Sequence, residues 1–285
     1  MFYREYDEPT LKRLQQTEMD MLHDFVDLCE RHHIDYFAGG GTGIGALRHG
    51  GFIPWDDDID LCFARKDYDR FLEIAQKEFA GKYTILNTEE NPNYPLMTTR
   101  LVKNGTSFRE ECFKDVDCDL GIFLDLYCFD NIADDDKAMK HQVLWAWFWG
   151  KLLVLRSVAR PTLYMHGAKA KLVTACCVFG HACMKLFHIS KKFLYRKAKK
   201  HAIAYQNTST RRMAWCFDPD PYACILNRDD IYPTRKILFG DVELRFPNHL
   251  EEYLTRKYGD YMQMPPEDKR HNHPPYDLDF GEEPQ

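Results

Sequence analysis

Four aspartates fall within five positions, Asp56, Asp57, Asp58 and Asp60, between Trp55 and the apolar run Leu61, Cys62, Phe63. Carboxylates set among apolar neighbours resist desolvation and repel one another. A divalent cation relieves both effects, so this block demands a fold that gathers the acids around a metal or leaves them in water. Apolar flanks on both sides, and the glycine turn Gly39-Gly40-Gly41-Thr42 just upstream, argue against a solvated acidic loop.

Read as a strand, Trp55 to Phe63 projects Asp56, Asp58 and Asp60 from one face and turns Asp57 and Ile59 to the other. Residues two apart on a strand are separated by about 6.5–7 Å, and their carboxylate heads can lean together. That suits two cations ~3.5–4 Å apart, the arrangement used for in-line displacement at phosphorus. Mg²⁺, with Mn²⁺ as its substitute, is the expected cofactor, because it takes carboxylate and phosphate oxygens while keeping some water. Asp125, embedded in the apolar run Gly121 to Tyr127, is the best-placed carboxylate to join from a neighbouring strand. Gly40 and Gly41 let backbone N–H groups approach a phosphate, a helix starting near Thr42 adds its positive end, and Thr42 supplies a hydroxyl.

The periodicity predicts a helix over residues 10–32, a short strand over 34–38, a helix from Thr42 to Arg48 and a helix capped by Asp67. Thr99 to Arg109 reads as a hairpin turning at Asn104-Gly105, and Lys236 to Phe246 as another around Gly240-Asp241. Asn248 is expected to cap a helix through Lys257. Arg48 and His49 are read equally as cations facing phosphate or as simple cations at a helix C-terminus, where positive charge is favoured.

Between Lys137 and Phe217 there is no Asp or Glu and there are 16 Lys or Arg, leaving 22 basic and 44 acidic residues elsewhere. The segment is a candidate surface for an anionic partner: a glycan, or lipid contacted through Lys191, Lys192, Arg196, Lys197, Lys199 and Lys200. Val143 to Leu155 and Leu172 to Ile189 are strongly apolar but short of a spanning helix, which needs roughly 20 apolar residues. They are expected as core helices of an insertion, with helices lying on a membrane surface as the alternative, supported by Trp145, Trp147, Phe148 and Trp149. Nucleic acid is not expected as a partner. Ten cysteines form no CxxC pair, and Cys112, Cys118 and Cys128 match no structural zinc spacing. The N-terminus lacks an apolar signal core, so a cytoplasmic location is expected, peripheral at the inner face of the membrane if the basic segment binds lipid.

The arrangement Gly40-Gly41-Thr42 followed by Asp58-Ile59-Asp60 resembles the signature of polymerase-β-like nucleotidyltransferases. More specifically, GGGTGIGALRHGGFIPWDDDIDLCFARKDYDRF is similar to the diagnostic segment of the LicD phosphotransferases, which are related to fukutin. The resemblance extends to RLVKNGTSF, GIFLDLYCFD and FPNHLEEYLTRKYGDYMQMPPEDKR. It implies an α+β fold, a nucleotidyltransferase-like mixed sheet flanked by helices. Residues 1–136 would form the catalytic core, 137–232 a largely helical basic insertion, and 233–285 a hairpin, helix and tail completing the core. It also implies transfer of phosphocholine or a similar substituted phosphate from a CDP-alcohol donor to a hydroxyl of a cell-surface glycan acceptor. By resemblance Asp58 and Asp60 hold the metals with Asp56 sharing, and Asp125 is a further ligand or the base. Gly40, Gly41 and Thr42 contact donor phosphates, and Arg100 neutralises one. The family's His-His pair stands here as His271-Asn272-His273, and Leu126 and Tyr127 replace its usual residues. Competing readings are nucleotidyl transfer at the α-phosphorus, a metal-dependent glycosyltransferase, and a non-catalytic membrane-surface module.

Overall fold

Asp7 starts the first helix by accepting the Thr10 N–H at 2.8 Å, and its apolar stripe of Leu11, Leu14, Leu22, Phe25 and Cys29 is buried along its length. The computed structural model describes residues 6–161, 167–267, 270 and 274–281; His271-Asn272-His273 lies outside them. In chain order the elements are α1 (Glu8–Arg31), β1 (Phe37–Ala38), α2 (Gly40–His49), β2 (Asp60–Ala64), α3 (Arg65–Glu78), β3 (Tyr83–Leu86), β4 (Thr99–Lys103), β5 (Ser107–Arg109) and β6 (Phe123–Ile132). Three helices follow, α4 (Asp136–Ser157), α5 (Gly167–Leu186) and α6 (Lys191–Ala202). The chain then adds β7 (Arg212–Ala214), β8 (Ile225–Asn227), α7 (Arg228–Ile231), β9 (Arg235–Phe239), β10 (Val242–Phe246), α8 (Leu250–Tyr258) and β11 (Asp277–Asp279).

The fold is α+β, organised by a mixed sheet ordered β1-β2-β6-β4-β3, with β7 joining the far half of β6 and β8 joining β7. Among the described residues only β2 and β6 run parallel; the other pairs are antiparallel. Strand alternation sorts side chains cleanly here. Leu61, Phe63, Leu124 and Leu126 join the main core with Phe25 of α1 and Phe71 of α3. Phe25 packs against Tyr36, Phe71 and Phe63 with ring centroids 4.9, 5.1 and 5.8 Å apart, each buried ring contributing on the order of 1.5–3 kcal/mol. Cys62, Phe37 and Phe129 point the other way, into a second cluster with Met213, Leu226 and Tyr253. Asp60 and Asp125 alternate with the leucines and so belong to this second face. The hairpin of β9 and β10 forms as expected, and its Phe239, Leu244 and Phe246 complete the main core.

Several expectations need correcting. The aspartate strand begins at Asp60, not Trp55: Asp56 N–H closes a turn on the Ile53 carbonyl, and Gln15 of α1 donates to the Asp56 carbonyl at 2.8 Å, so this backbone is engaged before it can pair. Likewise β1 is confined to Phe37–Ala38. Thr99 to Arg109 is not a paired hairpin, because the 120–122 segment lies between its arms. Lys103 N–H donates to Ile122, Phe108 N–H to Leu120, and β5 pairs with β11 instead. Ala64, not Asp67, occupies the N-cap of α3, and Asp67 accepts the Asp35 N–H; His249, not Asn248, precedes α8. Finally, α5 is no core helix: Met184 is its one buried residue.

Candidate active site

The glycine turn is the first turn of α2 itself. Gly39 sits at the N-cap with no side-chain cap, and Gly40 adopts φ +55°, a left-handed conformation that favours glycine. The earliest N–H groups of a helix have no intrahelical acceptor and carry its positive dipole end. A Cβ added at Gly41 would come within 2.7 Å of Asp56 Oδ2, and one at Gly40 would run into Asp60 Oδ2. The two aspartates are therefore packed directly on the amide end of α2. Thr42 is buried, and its Oγ1 accepts the Asp60 N–H at 2.9 Å, fastening the start of β2 to the helix.

Parallel pairing sets Asp60 opposite Asp125, and antiparallel pairing sets Arg100 opposite Asp125 from the other side. One row across three strands thus reads Asp60, Asp125, Arg100. Arg100 is buried; its Nε donates to Asp125 Oδ1 at 3.1 Å, its other nitrogens hold Glu110 at 2.8 and 3.3 Å, and it stacks 3.6 Å over the Phe123 ring. With all three guanidinium nitrogens engaged, Arg100 acts on the site through Asp125. Asp57, in the turn before β2, accepts the Tyr6 hydroxyl at 3.0 Å.

The carboxylates are held at a common electrostatic disadvantage. Burial, then repulsion from Asp57 and Asp60, pushes Asp56 up to about 7. Burial and Asp125 push Asp60 up to about 7 against the opposing influence of Tyr127 and Lys257. Asp58 lies well above its ordinary value through burial and the charges of Asp60 and Asp56. Burial raises Asp125 too, moderated by Arg100. Asp56, Asp58 and Asp60 nevertheless keep partial solvent access, so the recess is open to a ligand.

Two contributors escaped the sequence reading. Glu18 of α1 is 1% exposed, its Oε2 has no hydrogen-bond partner among the described residues, and burial followed by repulsion from Asp58, Asp57, Asp56 and Asp125 raises its pKa strongly. Its only signal was a lone acid in the apolar sector of the first helix. Lys257, near the end of α8, lowers the Asp60 pKa and so brings a cation to the site; the helix was anticipated, but not the direction of that lysine. Tyr253 of the same helix meets the Gly40 N–H at 3.4 Å.

Among the described residues no three carboxylate, imidazole or thiolate groups close into a metal cage. The donor set still fits a hard cation: it is all oxygen, charge-rich and partly open, and Mg²⁺ usually completes its shell from water and substrate phosphate. A wide cleft of about 740 Å³ lined by Asp134, Asp136, Arg211 and Arg212 shares no residue with this site, and its Asp136 is already paired with Arg212 at 2.8 Å.

Residues 33–104, which carry α2, the Asp56 to Asp60 block and Arg100 but not Asp125, match the family model described as LicD/FKTN/FKRP, nucleotidyltransferase domain. The lipopolysaccharide cholinephosphotransferase LicD of Haemophilus influenzae is 28% identical over 287 residues, covering 93% of this chain and 96% of that protein. Uncharacterized proteins of Rickettsia typhi and Rickettsia prowazekii are 37% and 32% identical over 54 and 65 residues, 19% and 23% of this chain. The chain is thus similar to the LicD phosphotransferases, through the family model over residues 33–104 and through the Haemophilus protein over nearly its whole length.

Proposed function

We propose that the enzyme transfers phosphocholine, or a similarly substituted phosphate, from a CDP-alcohol to a hydroxyl of a cell-surface glycan. The observation that carries this reading is the register of Asp60 against Asp125 beside the amide end of α2, which puts acids and backbone N–H donors for a phosphate in one recess. The full-length similarity to a lipopolysaccharide cholinephosphotransferase supports phosphocholine and a glycan as the chemical class.

Asp56, Asp58 and Asp60 would hold Mg²⁺ or Mn²⁺, which when bound neutralises the diphosphate and the charge gathering on the departing nucleotide. The Gly41 N–H donates to a donor phosphate oxygen beside the Gly40 backbone, whose own N–H is held by the Tyr253 hydroxyl, and Lys257 adds positive charge beside Asp60. Asp125, one oxygen fixed by Arg100, accepts the proton of the acceptor hydroxyl. That hydroxyl oxygen bonds to the phosphorus bearing the alcohol, the bond from this phosphorus to the CMP oxygen breaks, and CMP departs. Positioning and charge neutralisation supply most of the acceleration in such transfers.

Incubation with CDP-choline, Mg²⁺ and a glycan acceptor tests the assignment. Release of CMP with choline phosphate appearing on the glycan is expected. Release of phosphocholine with CMP on the acceptor would instead establish attack at the α-phosphorus, and no turnover across CDP-choline, CDP-ethanolamine and CDP-ribitol would overturn the reading.

A further inference from the structure

Helix α5 is built inside out. Ala168, Leu172, Ala175, Phe179, Ala182 and Leu186 recur at spacings of four and three residues, which places them on one face of a helix. Every one of them is exposed, with Leu172 at 67%, Phe179 at 72% and Leu186 at 73%. The opposite side does the packing: Met184 joins Leu153 and Leu194 in a small core, and His181 Nδ1 is bonded to the Leu155 carbonyl at 2.8 Å. A helix this apolar normally lies inside a core, so its exposed face suits an apolar phase outside the protein.

Charge decides which phase. No acid occurs from Lys137 to Phe217. Lys169, Lys171 and Lys185 flank the stripe, and among the described residues none of them forms an ion pair. Lysine stems can lie along apolar surface while their ammonium groups reach outward to phosphate. A second basic and aromatic patch lies on the neighbouring helices, where exposed Trp145, Phe148 and Phe193 accompany Lys197, whose Nζ sits 5.9 Å over Trp149 and 5.5 Å over Phe193. A protein partner of ordinary composition would not need so uniform a cation excess, whereas an anionic bilayer offers both an apolar interior and a negative surface. Among the described residues no single helix is long and apolar enough to cross a membrane, and the chain bends by 111° between α5 and α6. We infer that α5 lies in the interface of an anionic membrane, its Leu172–Phe179–Leu186 face among the acyl chains and its lysines at the headgroups. This holds independently of which group the enzyme transfers.

The test is cosedimentation of the full chain with vesicles of phosphatidylcholine containing phosphatidylglycerol, and with vesicles of phosphatidylcholine alone. Binding to the anionic vesicles, weakened by salt and absent or much weaker on the neutral ones, is expected. The double variant L172E/F179E, both exposed positions away from the aspartates, should partition about a hundredfold less well, since two apolar side chains lose their burial, with an unchanged circular dichroism spectrum. Failure to bind either vesicle would overturn the inference. So would vesicle binding that L172E/F179E leaves intact, which would make the contact electrostatic only. Self-association in the absence of lipid that this variant abolishes would also overturn it, by assigning the face to a second copy of the chain.

Discussion

In the presence of a chelator, stability should fall as pH rises. Unfolded aspartates titrate near 3.8, whereas Asp56 and Asp60 in the fold hold their protons up to about 7. Between these values the native state binds more protons than the unfolded chain, so unfolding becomes easier with each increment of pH. The stabilisation is complete below about pH 4 and is lost as pH climbs through about 7. For Asp60 alone, a rise from 3.8 to about 7 corresponds to about 4 kcal/mol once the carboxyl is ionised. Asp56 and Asp60 repel each other, so the pair costs less than twice that amount. Against a typical stability of ~5–15 kcal/mol this is a large share. Urea denaturation in EDTA, repeated from about pH 5 to about pH 8, reads the effect directly. Asp60→Asn should flatten the slope, and added Mg²⁺ should raise the midpoint most at the alkaline end. A stability that is level or rising over this range in EDTA would refute the electrostatic account of the cluster.

Removing Arg100 should be severe: Arg100→Ala leaves buried Asp125 and half-buried Glu110 without their cation, and thermal unfolding should register a loss of about 3–5 kcal/mol; a loss no larger than that of a surface substitution would contradict the ion-pair row. Glu18→Gln should raise the urea midpoint of the metal-free protein at neutral pH, because burial and four neighbouring acids disfavour the native charge; a lowered midpoint would show that the carboxylate has a stabilising partner. Gly45→Ala places a Cβ against the Gly51 carbonyl oxygen and 3.2 Å from the Ile53 nitrogen, both backbone atoms that cannot swing aside. It should cost about 1–3 kcal/mol despite the better helix propensity of alanine, and an unchanged melting temperature would argue against that close approach.

Much of the site was legible because it rests on local rules. The helix after the glycines and Asp125 among apolar strand residues follow from the 3.6 and 2.0 periods, whereas Asp56 to Asp58 lie ahead of the strand that the alternation assumed. Partnerships set by register were not legible. Arg100 carried a cation's signature, but its engagement with both Asp125 and Glu110 depends on β4 lying beside β6, which no local pattern encodes. The same limit hid Lys257 and Glu18, brought to the aspartates by tertiary packing of α8 and α1. The hairpin expected at Asn104-Gly105 failed for a related reason: its turn is present, but backbone from residues 120–122 supplies the hydrogen bonds its second arm would have made. The apolar stretch from Leu172 was correctly helical, yet hydropathy alone could not say whether its stripe faced inward or out.

The central claim is that Asp60 and its neighbours perform phosphoryl transfer from a CDP-alcohol. Its most direct test is CMP release from CDP-choline with Mg²⁺ and a glycan acceptor, measured side by side for the native chain, Asp58→Asn and Asp60→Asn. The account predicts turnover by the native chain and none above background by either variant, with both variants folded and, in EDTA at neutral pH, at least as stable as the native protein. Turnover retained by Asp60→Asn would contradict it.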